Sequence, residues 1–412
     1  MFSKVNTNGA AKKACLGLWV GIFDLIGGTG MNSKERTLAA INRQHHDRVP
    51  IGEFGIDHDH VSKIIGRHTY WRNRKDTTLA LWDNRRDEVV DSLKHDCEEL
   101  VKKLDYDIIT VELVPPKSHR EDDPPKKIAD GVWQNSKGRL FKYAASNDSI
   151  NEMTHSEGRF CISDNELEVI YKKAAQVDDS CFELIDYIGD KYGNEKAILM
   201  RSIDVVGFLE GCFGGDYSHK ITLPLLCPDE IKKLYGACVL YNKTIIERCR
   251  KHNVIITICA YDFGMNTGCI ISPGSIRDVY MPALKMVNHE SEKAGMIPFF
   301  HCCGNIWDIM DDFVDAGFKG FQSIQESAGM DNKLVKQKYG EALTLWTGIQ
   351  CETLVSGTMD ETAAEVSRNL EILMPGAGLI FGSTNSVQYG AKTDNYLKAI
   401  EVVKEKGVYP LP

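Results

Sequence analysis

Short apolar runs and longer amphipathic segments follow one another regularly from Met31 to the end of the chain. Apolar residues spaced three and four apart predict helices, and apolar runs of about four to eight residues bounded by turn residues predict buried strands. Eight strands are predicted, most of them followed by a helix, at residues 48–55, 108–114, 197–203, 254–261, 297–302, 320–325, 343–349 and 378–383. This repeat is typical of a (β/α)8 barrel, also called a TIM barrel.

The predicted barrel forms one catalytic domain over residues 31–412, with an insertion at residues 115–160. The insertion is rich in Pro, Lys, Asp and Ser, and its alternating run at 131–142 predicts a hairpin folded over one end of the barrel. The first helix is predicted to begin at Asn32, because Glu35 three residues later completes a capping box. Longer helices are predicted at 84–105, 164–190, 228–251 and 277–294.

Residues 1–30 form a predicted N-terminal extension. An apolar run at 14–29 follows Lys12 and Lys13, an order that superficially resembles a signal peptide. Asp24 interrupts the run, no clear cleavage site follows, and the run is shorter than the roughly 20 residues that cross a bilayer. We therefore expect an additional segment that the barrel does not need, and no association with a membrane.

Composition narrows the possible partners and the compartment. The formal net charge of −9 and the pI near 5.8 argue against a nucleic-acid partner bound through a phosphate-neutralising face. Small molecules or other proteins are the expected partners. Thirteen cysteines at irregular spacings fit reduced thiols better than a disulfide framework, which predicts a cytoplasmic protein. A homodimer is compatible with the sequence, which does not fix the oligomeric state.

Candidate metal ligands end the fifth predicted strand, in the stretch Met296-Ile-Pro-Phe-Phe-His-Cys-Cys-Gly-Asn305. Because side chains alternate along a strand, His301 and Cys303 are predicted to project to one side and Cys302 to the other. Zinc accepts imidazole and thiolate ligands, and a catalytic zinc needs three protein ligands and one open position. The alternative is that His301 is a hydrogen-bonded strand-end histidine and both cysteines are small core residues.

The barrel topology limits the source of a third ligand, since the carboxyl ends of all barrel strands converge on one face. Cys351 directly follows the seventh predicted strand and is the thiol best placed to complete the site, whereas Cys259 could equally face the core. Asp262 and Glu326 are the oxygen alternatives. Other residues that end predicted strands are Glu53, Glu112, Arg201, Asp204, Gln325, Gln350, Ser383 and Asn385.

From Met31 onward the chain resembles the uroporphyrinogen decarboxylase-like superfamily, and within it the corrinoid-dependent methyltransferases such as methyltransferase I of O-demethylase systems. The motifs that carry the resemblance are Glu35-Arg, Asp47-Arg-Val-Pro50, Asp262-Phe-Gly, Thr267-Gly, Ser272-Pro273, His301-x-Cys303-Gly-Asn305, Gly329-Met-Asp331 and Gly378-Leu-Ile-Phe-Gly-Ser-Thr-Asn-Ser-Val-Gln388. The His-x-Cys-Gly element is similar to that of the zinc-bearing methyltransferases. Decarboxylases of the superfamily hold tetrapyrrole propionates with an arginine-rich stretch, which Ile51-Gly-Glu-Phe-Gly-Ile-Asp-His58 replaces here.

The resemblance implies a zinc-dependent enzyme that moves a methyl group from a small methylated donor to the cobalt(I) of a separate corrinoid protein. A methoxylated aromatic is the expected donor. The chain lacks the Asp-x-His-x-x-Gly signature of corrinoid proteins, so the corrinoid (cobalamin) would arrive on a partner. Thiol-methylating relatives carry their last zinc cysteine near the position of Ser383, which favours the demethylating direction.

In such an enzyme Asp262 or Glu326 would protonate the leaving group, and Arg201 or Asn385 would orient the substrate. Aromatic side chains that could wall the donor are Phe54, Phe263, Trp307 and Trp346. Two other reactions stay open: methyl transfer from a methylcobamide to a thiol such as coenzyme M, and decarboxylation of a uroporphyrinogen-type substrate. A non-catalytic corrinoid binder would keep the barrel but would need no zinc.

Overall fold

We describe the protein from a computed structural model, which covers residues 30–153 and 157–410. The apolar run predicted at 14–29, and with it nearly all of the predicted extension, lies outside the described residues. Within the described ranges, no helix is both long enough and apolar enough to cross a membrane.

Seven parallel strands form the central sheet, side by side in the order in which they occur in the chain. Their bounds are Ile108–Val111, Ala197–Ile203, Val254–Ala260, Ile297–His301, Gly320–Gln322, Thr344–Ile349 and Leu379–Ser383. All seven coincide with predicted strands, although those predicted at 108–114 and 320–325 end earlier than expected. Parallel strands joined in chain order by helices make this an α/β-barrel type of fold.

The first predicted strand, 48–55, is not a regular strand, but it forms single bridges to both edges of the sheet. Ile51 pairs with Phe381 on the last strand, and Gly52 pairs with Ile108 on the first. The Gly52 amide donates to the Phe381 carbonyl at 3.0 Å, and the Ile108 amide donates to the Ile51 carbonyl at 3.2 Å. Pro50 has no amide hydrogen to donate, which limits regular pairing here. The segment lies where an eighth strand would be expected.

Helices cover the outer face of the sheet. The α-helices are Ser33–Ile41, His58–Ile65, Arg74–Trp82, Arg86–Leu104, Asp164–Ala174, Glu183–Tyr192, Val206–Gly211, Tyr217–Leu226, Pro228–Lys232, Tyr235–Arg250, Pro273–Val279, Met281–Lys293, Met310–Asp315, Asn332–Tyr339, Cys351–Ser356, Met359–Leu373 and Thr393–Lys406, and the 3-10 helices are Asp179–Phe182, Trp307–Ile309 and Glu326–Ala328. The Asn32 side chain accepts from the Glu35 amide at 2.9 Å, which confirms the predicted cap. The helices predicted at 164–190, 228–251 and 277–294 are each divided. In the last of these a new helix begins at Met281, with Pro282 in its first turn, where a missing amide hydrogen breaks no hydrogen bond of the helix.

The segment predicted as an insertion contains a four-stranded antiparallel sheet. Its strands are Lys126–Ala129, Val132–Gln134, Leu140–Ala144 and Ser149–Glu152, and the second and third form the predicted hairpin. The ring of Trp82, at the end of a neighbouring helix, packs against Trp133 and Phe141 with centroid distances of 6.0 and 5.2 Å. These aromatic contacts attach the small sheet to the helical layer.

Two apolar layers flank the central sheet. The larger lies between the sheet and the helices, and the smaller lies inside the curved sheet and includes Leu199, Phe299 and Trp346. Side chains two residues apart on a strand share a face. Arg201 and His301 therefore follow Leu199 and Phe299 on the inner side, and polar chemistry begins where the inner apolar layer ends.

Candidate metal centre

Three side chains of metal-ligand type meet at the end of the strand Ile297–His301. Nε2 of His301 lies 3.5 Å from Sγ of Cys303 and 3.6 Å from Oδ1 of Asp262. All three ligand atoms lie within 4.8 Å of one another, and no other group of three His, Cys, Asp or Glu residues in the described ranges does so. His301 is buried, Cys303 is half-buried and Asp262 is exposed, so the cluster is open to solvent on the carboxylate side.

The chain turns sharply directly after these ligands. Cys302 points the opposite way, as predicted, since its buried sulfur accepts from the Phe263 amide at 3.2 Å. Gly304 has a φ of +82°, and a Cβ there would lie only 2.4 Å from the carbonyl carbon of Gly264. Glycine is therefore required both for the backbone conformation and for the close approach of the neighbouring loop. The turn aims Cys303 back toward His301.

Gln322 sets the tautomer of His301. It lies directly opposite His301 in the parallel register, and its Nε2 donates to the carbonyls of Ser383 at 2.9 Å and Asn385 at 3.1 Å. Because carbonyls can only accept, the atom of Gln322 that faces Nδ1 of His301 is its acceptor Oε1. Nδ1 of the neutral ring thus carries the hydrogen, and the lone pair lies on Nε2 within the cluster. A histidine that binds a metal through Nε2 needs this tautomer.

Burial has the largest effect on the pKa values of His301 and Cys303. It lowers the pKa of His301, which keeps the ring neutral, and it raises the pKa of the Cys303 thiol to about 12. The Asp262 charge opposes the first effect and adds to the second, since it favours imidazolium and disfavours a neighbouring thiolate. A cation placed among the three groups would offset this and allow Cys303 to ionise.

Two polar side chains donate to the Cys303 sulfur. Nδ2 of Asn385 lies 3.1 Å from Sγ, and Oγ of Ser323 lies 3.4 Å from it. Ser323 has a φ of +86°, a strained conformation for a residue other than glycine, of the kind that concentrates at functional sites. Asp262 also accepts from the Cys303 amide at 2.8 Å. Asn385, predicted to orient the substrate, thus contacts the candidate ligand itself.

Cys351, the predicted third ligand, lies outside the three-residue cluster. It lines one cavity together with Cys303, Thr384 and Asn385, and its sulfur accepts from the Thr384 hydroxyl at 3.6 Å. Burial raises the pKa of the Cys351 thiol to about 11. Its role as a ligand stays a prediction, while Asp262, the oxygen alternative, is the residue that the structure groups with His301 and Cys303.

Two other predicted positions are engaged elsewhere. Glu326 forms an ion pair with Arg368 and is not part of the cluster. Ser383 donates its hydroxyl to the buried carboxylate of Glu53 at 2.7 Å, so this hydroxyl is already committed. Burial raises the pKa of Glu53 to about 7.

An aromatic ring connects the cluster to Arg201. Phe54 stacks on His301 with a centroid distance of 4.4 Å and an interplanar angle of 5°. The guanidinium carbon of Arg201 lies 5.3 Å from the same Phe54 ring, and its Nη2 donates to Glu112 at 2.7 Å. The positive charges of Arg201 and Arg72 both lower the pKa of His301, although less than burial does.

The rings of the other three aromatic candidates are engaged elsewhere. Trp346 and Phe263 are buried in the apolar layers, and Trp307 donates its indole N–H to the Gly329 carbonyl at 3.0 Å. Of the four predicted wall residues, Phe54 is the one whose ring stacks on a candidate ligand.

Sequence reasoning missed Gln322 and Arg72. The strand predicted at 320–325 placed Gln325 at the barrel mouth, whereas the strand ends at Gln322. No pattern in the sequence marks the end of this strand, and the register of the structure is what places Gln322 opposite His301. Arg72 lies in a loop, and no pattern in the sequence indicated it.

Comparison with protein-family models finds no match, and comparison with curated proteins finds none either. Among solved structures, a methyltransferase from Methanosarcina mazei matches 91% of this chain and 99% of its own, with a TM-score of 0.62 and 14% identity. A D-psicose 3-epimerase from Clostridium cellulolyticum H10 matches 59% of this chain and 87% of its own, with a TM-score of 0.32 and 13% identity. A sugar phosphate isomerase/epimerase from Parabacteroides distasonis ATCC 8503 matches 61% and 97%, with a TM-score of 0.32 and 10% identity. The last two scores carry no argument, and the first supports the α/β-barrel type of fold.

Proposed function

We propose that this chain is a zinc-dependent methyltransferase of the uroporphyrinogen decarboxylase-like (β/α)8 barrels, which moves a methyl group from a small methylated donor to the cobalt(I) of a separate corrinoid protein. The observation that carries the proposal is the cluster of His301, Cys303 and Asp262, with the Nε2 lone pair directed into it. The motifs shared with corrinoid-dependent methyltransferases support it. So does the similarity of fold to the methyltransferase from Methanosarcina mazei.

The donor distances fit zinc. Bond lengths of about 2.1 Å to nitrogen and about 2.3 Å to sulfur, at a tetrahedral angle, separate the two ligand atoms by about 3.6 Å. Nε2 of His301 and Sγ of Cys303 are 3.5 Å apart, and Oδ1 of Asp262 lies at a similar 3.6 Å from Nε2. A mixed nitrogen, sulfur and oxygen set suits a borderline-soft cation such as zinc.

The third ligand is either Asp262 or Cys351. Asp262 needs no rearrangement, since its oxygen already lies in the cluster. Cys351 would have to turn its sulfur from Thr384 toward Cys303 across the cavity that both cysteines line. If Cys351 is the ligand, Asp262 is free to act as the acid that protonates the leaving group. Glu326 is the weaker candidate for that role because Arg368 already neutralises it.

When bound, zinc acts as a Lewis acid that polarises the donor oxygen and stabilises it as it leaves. The carbon–oxygen bond of the donor breaks, the methyl carbon passes to cobalt(I), which supplies the electron pair, and the oxygen takes up a proton. In the chain itself, His301 and Cys303 hold the metal, Gln322 maintains the histidine tautomer, and Asn385 donates to the cysteine sulfur. Phe54 provides an apolar face beside His301.

Decarboxylation is the second candidate function. The first predicted strand has no cationic groups near its carboxyl end to hold substrate carboxylates, but Arg72 and Arg201 line a cavity next to Phe54. A cofactor-free decarboxylase would use these arginines and would not need a metal.

An anaerobic assay with reduced corrinoid protein tests the proposal. Purified chain with one equivalent of zinc is mixed with 4-methoxybenzoate, methoxybenzene and other methylated donors, and the visible spectrum of the corrinoid is followed. We expect conversion of the cobalt(I) form to the methylated form, with an equal amount of demethylated product. Cys303→Ala should abolish both the reaction and the binding of zinc. Cys302→Ala is the matched control, since the neighbouring sulfur points into the core.

Each alternative gives its own result. Loss of the methyl group from methylcobalamin to an added thiol, without methylation of cobalt by any donor, would reverse the proposed direction. Release of carbon dioxide from a zinc-free preparation would favour decarboxylation. Full zinc content in both His301→Ala and Cys303→Ala would show that the metal site is wrong.

A further inference from the structure

Two arginines line a cavity beside Phe54, and the metal cluster uses neither of them. The polar lining of this cavity includes Arg72, Arg201 and Glu112. The charge of Arg72 also lowers the pKa of Arg201, in addition to the larger effect of burial. Two guanidinium groups thus face one space at the same end of the barrel as the cluster.

The loop holds Arg72 in a defined place. The residue itself has a φ of +50°, which is strained for a side chain of this size. Its guanidinium packs directly over Gly55, where a Cβ would lie only 2.7 Å from Nη1 and 2.8 Å from the central carbon. Asp57 accepts from Nε at 2.7 Å. These three features fix the orientation of the guanidinium group and leave its two Nη atoms without a protein acceptor among the described residues. A bound ligand would explain this arrangement.

Both guanidinium groups retain free donors. Among the described residues, the only acceptor of Arg72 is Asp57 at Nε, and the only acceptor of Arg201 is Glu112 at Nη2. Arg72 therefore keeps the fork formed by its two Nη atoms, and Arg201 keeps Nε, Nη1 and the second hydrogen of Nη2, which completes a fork with one of them. A planar fork of N–H groups matches the two oxygens of a carboxylate, which it can bind through two parallel hydrogen bonds.

We propose that Arg72 and Arg201 bind a carboxylate of the methylated donor. This inference rests on the proposed function for the identity of the donor, but the binding itself does not require the metal. The centre of the Phe54 ring lies 5.3 Å from the guanidinium carbon of Arg201 and 4.4 Å from the centre of the His301 ring. The distance between that guanidinium carbon and the His301 ring centre therefore cannot exceed the sum of these two distances. A substituted benzoate has this length scale. Its carboxylate can bind the arginines while its methoxy group reaches the cluster.

Calorimetric titration with matched ligands tests the inference. The probes are 4-methoxybenzoate and the neutral 4-methoxybenzamide, each titrated into zinc-loaded and zinc-free protein. We expect the carboxylate to bind at least about tenfold more tightly than the amide, the lower end of what charge-assisted hydrogen bonds provide. The preference should hold in the zinc-free protein. A failed zinc site and a failed carboxylate site are therefore distinguishable.

Substitutions test whether these two arginines bind the carboxylate. Arg72→Met and Arg201→Lys should each reduce the carboxylate preference about tenfold or more, since each breaks a two-bond contact. Gly55→Ala should do so without removing a charge, because the added Cβ displaces the Arg72 guanidinium. Arg277→Met is the matched control, as Arg277 is exposed and pairs with Asp312 on the outer surface.

Glu112→Gln supplies a test that does not depend on the stability of the arginine variants. Glu112 competes with the ligand for Arg201, so its neutralisation should tighten carboxylate binding while leaving amide binding unchanged. The inference is overturned if the wild-type protein shows no carboxylate preference. It is equally overturned if the preference persists in both arginine variants.

Discussion

Replacing Gln322 by Met tests whether its side-chain amide prepares His301 for a metal. Methionine has a similar length and no strong hydrogen-bonding group, so the volume is kept while the amide contacts are lost. Nδ1 of His301 loses its acceptor, and the carbonyls of Ser383 and Asn385 lose their donor. The ring is then free to rotate or to change tautomer.

We expect Gln322→Met to bind zinc about 10- to 100-fold more weakly, the range typical for groups that orient a metal-bound histidine. The free energy of unfolding should also fall by about 2–4 kcal/mol. Each buried polar group left without a partner costs about 1–3 kcal/mol, and local relaxation recovers part of the total. The two effects are measured separately, by competition with a chromophoric chelator and by denaturant unfolding of the metal-free protein.

Gln388→Met is the matched control, because Gln388 lines the cavity next to Cys303 but is exposed. It should leave zinc affinity within about twofold of the wild type, as expected for a surface substitution. If Gln322→Met folds and retains wild-type zinc affinity, either His301 is not a ligand or its tautomer does not depend on Gln322.

Three further predictions concern the third ligand, a buried carboxyl group and the turn after the strand. Asp262→Asn should weaken zinc retention by more than Cys351→Ser does, as measured by elemental analysis after dialysis; the opposite order would assign the third position to Cys351. The raised pKa of Glu53, about 7 against an ordinary 4.5, means that the folded state retains a proton which the unfolded state loses between these pH values. The free energy of unfolding should therefore fall by roughly 3 kcal/mol as the pH rises from 4.5 to 7, and Glu53→Gln should remove that decline in denaturation curves. Gly304→Ala should destabilise the fold by about 1–3 kcal/mol or more, whereas Gly211→Ala, where nothing lies within 4 Å of the added Cβ, should not.

The sequence predicted those parts of the fold and site that depend on local periodicity. Alternation along one strand was enough to place His301 and Cys303 on one face and Cys302 on the other, because this relation needs no knowledge of neighbouring strands. The strand positions followed from apolar runs for the same reason. The cap at Asn32 was also local, since it involves residues three apart.

Distances between residues on different strands could not be predicted from local sequence patterns. Whether Asp262 or Cys351 completes the site depends on how neighbouring strands are staggered and how their loops turn, which no local pattern encodes. Because the strand predicted at 320–325 ends at Gln322, Gln325 was expected at the mouth of the barrel in place of Gln322. The position of Arg72 depends on a single strained backbone angle and on the absence of a side chain at Gly55.

The metal cluster and the arginine pair together favour methyl transfer over decarboxylation. A decarboxylase must place the reacting carboxylate where its chemistry occurs, but Arg201 contacts Phe54 and Glu112 rather than the cluster formed around His301 and Cys303. A carboxylate held there would be anchored and not consumed. The cluster, in turn, combines a neutral histidine whose Nε2 lone pair faces Cys303 with a thiol whose pKa is raised to about 12 by burial and which a bound cation would help to ionise. A metal-free decarboxylase requires neither. Separate anchoring and reacting ends are what a transferase needs if it removes a methyl group from one end of a substrate and releases the remainder intact.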